Sequence, residues 1–445
     1  MTALLLKAEQ IVCLDEQDNI YQQGYLVVED GVISEIGHQS KLSRRQFDEV
    51  IDLGARLVMP GLVNAHTHTP MVLFRGLVEG HTLFDFDGWY NTIRVVEERM
   101  TPDMIAPAVA VSCAEMIRTG TTCFADQYFW MEQIVPTVRQ SGMRAALAYG
   151  IVELGDATAR EREIGAATAF LEQVASDALI DGWVGPHAFF VDNSEEAMRL
   201  ELALADRFET GLHIHFGTSG EEDRYCQEKY GRSAVQQMEK MGILKRPLLA
   251  AHGLTIPEAD FDTLANHPFT IVVAASSCMR NAAGVAPLKK MLAAGINAAL
   301  GTDNVTNNNS YDLFKEMQIT GKLMSLQERI PNAIPTRKIL EMATMGGARA
   351  LGLADKIGSL KIGKRADLIA LDLDEIGWTP MNGQDVYTAL VYSISGMHTR
   401  DVMVDGRWLL RNGRFTTIDY PTARKELESA YSRLKIGEEN GTHNH

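Results

Sequence analysis

Eight times between residue 57 and about residue 304, a short apolar run gives way to a longer amphipathic stretch. The runs cover residues 58–63, 122–125, 145–151, 183–185, 212–216, 247–251, 269–275 and 296–301, and glycine or proline borders most of them. The stretches between them include residues 102–119, 157–178, 194–208, 221–241 and 310–326, with helical spacing of apolar side chains. Uninterrupted apolar runs separated by helices are the pattern of parallel strands buried on both faces. Eight such units over roughly 250 residues fit a closed (β/α)8 TIM barrel. An open doubly wound sheet is the competitor, but no glycine-rich phosphate loop follows the first run.

The two ends of the chain read differently. Residues 1–56 hold short strands and an Asp30-Gly31 hairpin signal; residues 356–430 hold more strands and a second one, Asp405-Gly406. Neither end has enough strands for its own sheet, so the two are expected to pair as a small β-sandwich. The barrel, residues 57–355, is inserted between them, and residues 431–445 form a tail. The tail histidines, His443 and His445, are expected to be disordered and without a role.

Composition narrows the function. A net charge of −16, with no local basic patch, argues against a nucleic-acid partner. Five scattered cysteines without a Cys-x-x-Cys pair suit reduced thiols, hence a cytoplasmic protein. No signal peptide is evident and no stretch is long and apolar enough for a membrane span.

In a barrel of this kind, catalytic groups sit where the strands end. His66 and His68 follow the first run, in Pro60-Gly61-Leu62-Val63-Asn64-Ala65-His66-Thr67-His68, and their i, i+2 spacing puts both imidazoles on one face of an extended segment. His187 follows the fourth run, His213 and His215 lie in the fifth, His252 ends the sixth and Asp303 ends the eighth. A single histidine at a strand end is most simply a rim residue. Several strand ends delivering His or Asp to one rim point to a metal, because buried ionisable groups are costly unless paired.

These motifs, with Gly185-Pro186-His187, Gly301-Thr302-Asp303 and Gly363-Lys364-Arg365-Ala366-Asp367-Leu368, resemble the amidohydrolase superfamily, in its branch of aminohydrolases and s-triazine chlorohydrolases. The resemblance spans almost the whole chain. It implies that His66, His68, His215 and Asp303 bind one divalent metal ion, zinc or alternatively iron. Three imidazoles and a carboxylate with a position left for water also describe a catalytic zinc site. Asp303 would take the proton of the activated water, and His252, not a ligand, would orient it; His213 would be a neighbouring support. The implied reaction is addition of hydroxide to an electron-poor ring carbon of an N-heterocycle (purine, pterin, pyrimidine or triazine) with release of ammonia. Its partners would then be that small molecule and water, and family habit suggests a homo-oligomer.

Two positions depart from the deaminase pattern. Where many deaminases of the branch read His-x-x-Glu, this chain has His215-Phe216-Gly217-Thr218, and threonine cannot act as an acid near neutrality. Glu221 and Glu222 follow, at the expected start of a helix. Asn304 after Asp303 resembles the chlorotriazine hydrolases. The alternatives are therefore loss of chloride or an alkylamine, cleavage of an exocyclic amide or urea bond, or binding without turnover. For the substrate, the resemblance points to Trp89 and to Glu97 or Glu98 near a ribose, to His187 at a ring nitrogen, and to Thr218 and Asn304. Phe84, Phe86, Trp89 and Tyr128 are candidate aromatic walls. An arginine expected for an amino-acid carboxylate is replaced by Tyr149, with Arg160 and Arg162 as substitutes.

Overall fold

The computed structural model describes residues 3–77, 79–380 and 385–436. The N-terminal segment forms β1 (Ala3–Val12), β2 (Ile20–Glu29), β3 (Val32–His38), β4 (Glu49–Asp52) and β5 (Arg56–Pro60). The central strands are β6 (Leu62–Thr67), β7 (Thr121–Tyr128), β8 (Arg144–Ile151), β9 (Ile180–Pro186), β10 (Leu212–Phe216), β11 (Leu248–His252), β12 (Phe269–Val273) and β13 (Asn297–Leu300). β14 (Leu368–Asp372), β15 (Thr399–Val404), β16 (Arg407–Arg411) and β17 (Arg414–Phe415) complete the set.

Strands β6–β13 lie side by side in sequence order and all run parallel, as the eight runs require. Helices such as Pro102–Arg118, Met131–Ser141, Ala157–Val174 and Glu195–Arg207 connect them. Leu212, Ile214 and Phe216 join a large buried cluster with residues of those helices, so the alternate residues His213 and His215 take the opposite face of β10.

The seam between β13 and β6 closes the barrel without a regular ladder. The Asp303 backbone N–H donates to the His66 carbonyl at 2.9 Å. Buried Asn64 spans the seam twice, donating to Thr302 Oγ1 at 2.7 Å and accepting from the Thr302 N–H at 3.0 Å. A Cβ on Gly301 would lie 2.8 Å from His66 Cβ, so only glycine lets these strands approach.

The terminal strands come together as one mixed sheet, in the order β17-β16-β15-β14-β5-β1-β2-β3, with β4 also pairing to β1. Both Asp-Gly turns carry two residues of positive φ, Asp30 and Gly31 (50° and 79°) and Asp405 and Gly406 (53° and 79°), as type I′ hairpins need. The first apolar run is divided between the sheets: residues up to Pro60 pair with β1 and β14, and Leu62 onward enters the barrel. Gly61 makes the switch, where a Cβ would fall 2.0 Å from the Thr122 hydroxyl. The helix Tyr420–Ile436 runs into the stretch read as a tail; residues 437–445, including His443 and His445, lie outside the described residues.

A buried ion pair ties the two sheets. Arg144 on β8 donates through Nε to Asp367 Oδ2 at 2.9 Å and through Nη2 to Oδ1 at 3.1 Å. Arg144→Leu would strand the Asp367 carboxylate in the interior, so urea denaturation should show a loss of about 3–5 kcal/mol. The double variant Arg144→Leu/Asp367→Leu should be milder, since no charge is left unpaired.

Among the described residues no helix is long and apolar enough to cross a membrane. All five cysteines are free and buried.

Candidate metal centre and substrate pocket

Three imidazoles meet at the C-terminal rim of the barrel. His66 Nε2 lies 3.2 Å from His68 Nε2, and His215 Nε2 lies 3.2 Å from the same atom. Each ring is held from behind. The carbonyl oxygens of Gln127 and His187 face Nδ1 of His68 and His215, at 2.7 and 3.0 Å. A carbonyl only accepts, so Nδ1 carries the proton in both rings and each Nε2 presents a lone pair. His66 is braced by His213, whose Nε2 lies 2.8 Å from His66 Nδ1. Lone pairs facing each other at this distance repel unless a cation lies between them. The Asp303 carboxylate completes the group, 3.6 Å from His66 Nε2 and 3.5 Å from His68 Nε2.

This donor set fits a divalent ion. Ligands about 2.0–2.2 Å from a tetrahedral zinc stand roughly 3.3–3.5 Å apart, close to the separations here. His66, His68 and Asp303 form one group able to hold an ion, and His66, His215 and His252 form an overlapping one. Burial also keeps His68, His213 and His215 neutral, the form that ligates. It pushes His68 down to about 3, helped by the adjacent His66, and it drives His215 and His213 well below the ordinary histidine range. Burial alone would raise Asp303, but the adjacent His66 and His252 hold it ionised, far below the usual carboxylate range.

His252 and Asp303 both adopt left-handed backbone, with φ of 84° and 59°. Such geometry costs of order 1–3 kcal/mol in a residue with a side chain, and it clusters where function fixes a group's direction. His252 Nδ1 is buried with no hydrogen-bond partner, an orphan in a site whose other imidazoles are all braced. Burial depresses its pKa to about 4, against the pull of Asp303. Asp303 is held by the Asn304 backbone and side chain at 2.6 and 2.9 Å and by Asn307 Nδ2 at 3.2 Å.

The loop behind Asp303 rests on Glu316, which accepts from the Ser276 N–H at 2.9 Å and Asn308 Nδ2 at 3.1 Å. Burial raises this carboxyl from 4.5 to about 7. With its folded-state pKa raised, the group contributes stability that is complete below about pH 4.5 and lost as pH rises through 7. Glu316→Gln should therefore flatten the decline of the unfolding free energy between pH 5 and 8, measured by denaturant titration.

Most residues expected at the substrate lie on one pocket, whereas Glu98, Tyr149, Arg160 and Arg162 do not line it. Trp89, Glu97, His187, Thr218 and Asn304 line it together with His68, His215, His252 and Asp303. The segment after β6 folds over it. The Phe84 ring sits 4.6 Å from His252, and Trp89 stacks on His187 at 4.5 Å. Leu83 N–H donates to Asn281 at 2.7 Å and Phe86 N–H to Glu221 at 3.3 Å, anchoring that roof. Glu97 is buried, which raises its pKa, while the Tyr128 hydroxyl and Arg94 beside it pull the other way; Arg94 Nη1 donates to it at 3.5 Å.

Several groups here escaped the sequence reading. Asp192 accepts a short hydrogen bond from His187 Nδ1, fixing that ring. Glu221 starts a helix as expected, yet it also lines the pocket beside Thr218. Gln127 Nε2 bridges the carbonyls of Pro186 and His213. Buried Asp126 holds the metal-site turn by accepting from Thr67, the Thr69 N–H and the Thr69 hydroxyl. Arg160 and Arg162, the expected carboxylate binders, are instead engaged by Glu153 and Glu163.

Comparison with known proteins agrees with this geometry. Residues 57–409 match the amidohydrolase family. The chain is 36% identical to 5'-deoxyadenosine deaminase of Methanosarcina acetivorans, covering 98% of this chain and 99% of that protein. It is 34% identical to the 5-methylthioadenosine/S-adenosylhomocysteine deaminase of Desulforudis audaxviator, over 92% and 95% of the two chains. The solved structure of an adenosine deaminase from Xanthomonas campestris with bound zinc superposes with a TM-score of 0.91 at 27% identity, covering 98% and 99%. A barrel rim that gathers three histidines and an aspartate, and sequence likeness that runs through both sheets, place this chain in the amidohydrolase family.

Proposed function

We propose that this protein deaminates adenosine-type purine nucleosides, replacing the ring amino group by oxygen and releasing ammonia. The observation that carries the reading is the convergence of imidazole lone pairs and the Asp303 carboxylate at one end of an aromatic-roofed pocket. Full-length likeness to deaminases favours ammonia over chloride as the leaving group.

His66, His68, His215 and Asp303 would hold the ion. Zinc suits this set of imidazoles and carboxylate, and the solved adenosine deaminase of the same fold carries it. When bound, such an ion supplies Lewis acidity that brings the pKa of water down to about 7. The ionised Asp303 carboxylate accepts the water's proton and returns it to the departing amine, so that one C–O bond forms as the C–N bond breaks. Neutral His252, with one ring nitrogen free, orients the attacking oxygen. Asp192 fixes His187 through Nδ1 and leaves Nε2 facing the pocket, where the imidazolium form would donate to a purine ring nitrogen. Trp89 and Phe84, both on the pocket wall, offer aromatic surface to the planar base and help exclude water. Glu97 accepts from the ribose hydroxyls. Thr218 supplies only a hydroxyl, which leaves the proton transfer to Asp303.

The test is zinc-loaded protein with 5′-deoxyadenosine, methylthioadenosine and adenosine, followed by ammonia assay and the ultraviolet change from adenine to hypoxanthine. Turnover of at least one is expected. Silence toward all three, with chloride released from a chlorotriazine, would sink the proposal.

A further inference from the structure

Substrates named for the relatives differ at the 5′ end of the nucleoside: a bare methyl in 5'-deoxyadenosine, and a methylthio group or an amino-acid tail in the second class. A carboxylate taken into a closed pocket needs a cation or several N–H donors, because desolvating it unpaired costs several kcal/mol. The structure shows what meets it here.

Among the described residues that line the pocket there is no lysine and no arginine. Carboxyl groups line it instead: Asp85, Glu97, Asp192, Glu221 and Asp303. Of the arginines flanking the lining segments, Arg94, Arg160 and Arg162 are already engaged, and Arg99 and Arg224 are exposed and outside the lining. Arg94 pairs with Glu97 at 3.5 Å and lies over the Phe129 ring. Arg160 pairs with Glu153 at 2.9 Å, and Arg162 with Glu163 at 2.8 Å. Glu153 is itself buried and Glu163 accepts a further bond from Tyr149, so neither acid is free to release its partner cheaply. His187 is committed to Asp192.

A helix N-terminus is the other common anion binder. The helix that begins at the pocket, Glu221–Tyr230, carries Glu221, Glu222 and Asp223 in its first turn, and Glu222 accepts from the Gly217 N–H. Acids of the chain thus occupy that place. The rest of the lining combines apolar groups such as Ile93, Phe129 and Val191 with neutral polar ones, and the amides of Gln127, Asn304 and Asn307 already donate within the protein. The overall charge of −16 adds a field that disfavours anions at the mouth.

We propose that this enzyme selects nucleosides whose 5′ end is small and uncharged, and rejects those bearing a carboxylate or phosphate there. The inference rests on the deaminase reading above but extends it to a substrate class. It holds wherever in the pocket the 5′ end lies, since no part of the described lining offers a free cation.

Steady-state kinetics on zinc-loaded protein test it with four compounds: 5′-deoxyadenosine, methylthioadenosine, S-adenosylhomocysteine and adenosine 5′-monophosphate. The first two should agree in kcat/KM within about tenfold. S-adenosylhomocysteine should fall at least about 30-fold below methylthioadenosine, and the monophosphate at least about 100-fold, the scale of a buried like-charge clash. Calorimetric titration with the products should show the same order, 5′-deoxyinosine binding and inosine 5′-monophosphate not. If S-adenosylhomocysteine or the monophosphate matches methylthioadenosine within threefold, the selectivity is wrong while the deaminase reading stands. If none of the four releases ammonia, the deaminase reading fails and the selectivity with it.

Discussion

Asp303→Asn is expected to lower kcat by about 10³-fold or more, within the range lost when a positioned proton acceptor is removed. The substitution is nearly isosteric, so the seam hydrogen bond from its backbone N–H to His66 should survive and the barrel should fold. Two properties would be lost together: the negative charge facing His66 and His68, and the capacity to accept a proton at neutral pH. Metal content measured beside kcat separates them. A variant that retains one zinc per chain but turns over slowly assigns the loss to proton transfer; one that loses zinc assigns it to ligation. Activity within tenfold of the parent would remove Asp303 from the chemistry.

Removing the metal should have the second large effect. Chelation followed by dialysis is expected to abolish ammonia release, with recovery on adding zinc. It should also lower the melting temperature, because the ion binds the native state and not the unfolded one; at 1,000 times Kd this linkage is worth about 4 kcal/mol. The stripped protein should be acid-sensitive in a defined direction. His68, His213, His215 and His252 have folded-state pKa values below the unfolded value near 6.5, with His68 at about 3 and His252 at about 4. Depressed groups contribute stability that is present above pH 6.5 and lost as pH falls toward those values. Stripped protein whose stability does not change between pH 7 and 5 would contradict the burial of this cluster.

How much of this was legible in the sequence follows from where each partner lies along the chain. Strand ends punctuated by histidine are local signals, and each of them falls on the rim. The eight runs were equally local and gave the parallel barrel. The first run misled in one respect: residues 57–60 are as apolar as a barrel strand because β5 is buried between β1 and β14, and hydrophobicity alone cannot tell one buried sheet from another. Pairings across long separations left no trace. Asn64 reads as a motif residue, yet its hydrogen bonds go to Thr302 across the seam. Asp192 lies in a loop of ordinary composition, and only the fold turns it onto His187. The state of Arg160 and Arg162 could not be read either, because a free arginine and a paired one look alike in a sequence.

The switch at Gly61 has a consequence for how the molecule is made. β5 leads directly into the strand that carries His66, yet its longest pairing is with β14, whose residues are synthesised about 300 positions later. At about 5–20 residues per second, translation leaves the strand that carries His66 without that support for roughly 15–60 seconds. The His66 and His68 part of the candidate metal centre therefore waits on the ribosome for the end of the chain. Throughout that interval the nascent chain presents an unpaired edge that is apolar apart from Arg56, which makes the growing chain, rather than the finished enzyme, the species most exposed to aggregation and most dependent on chaperones.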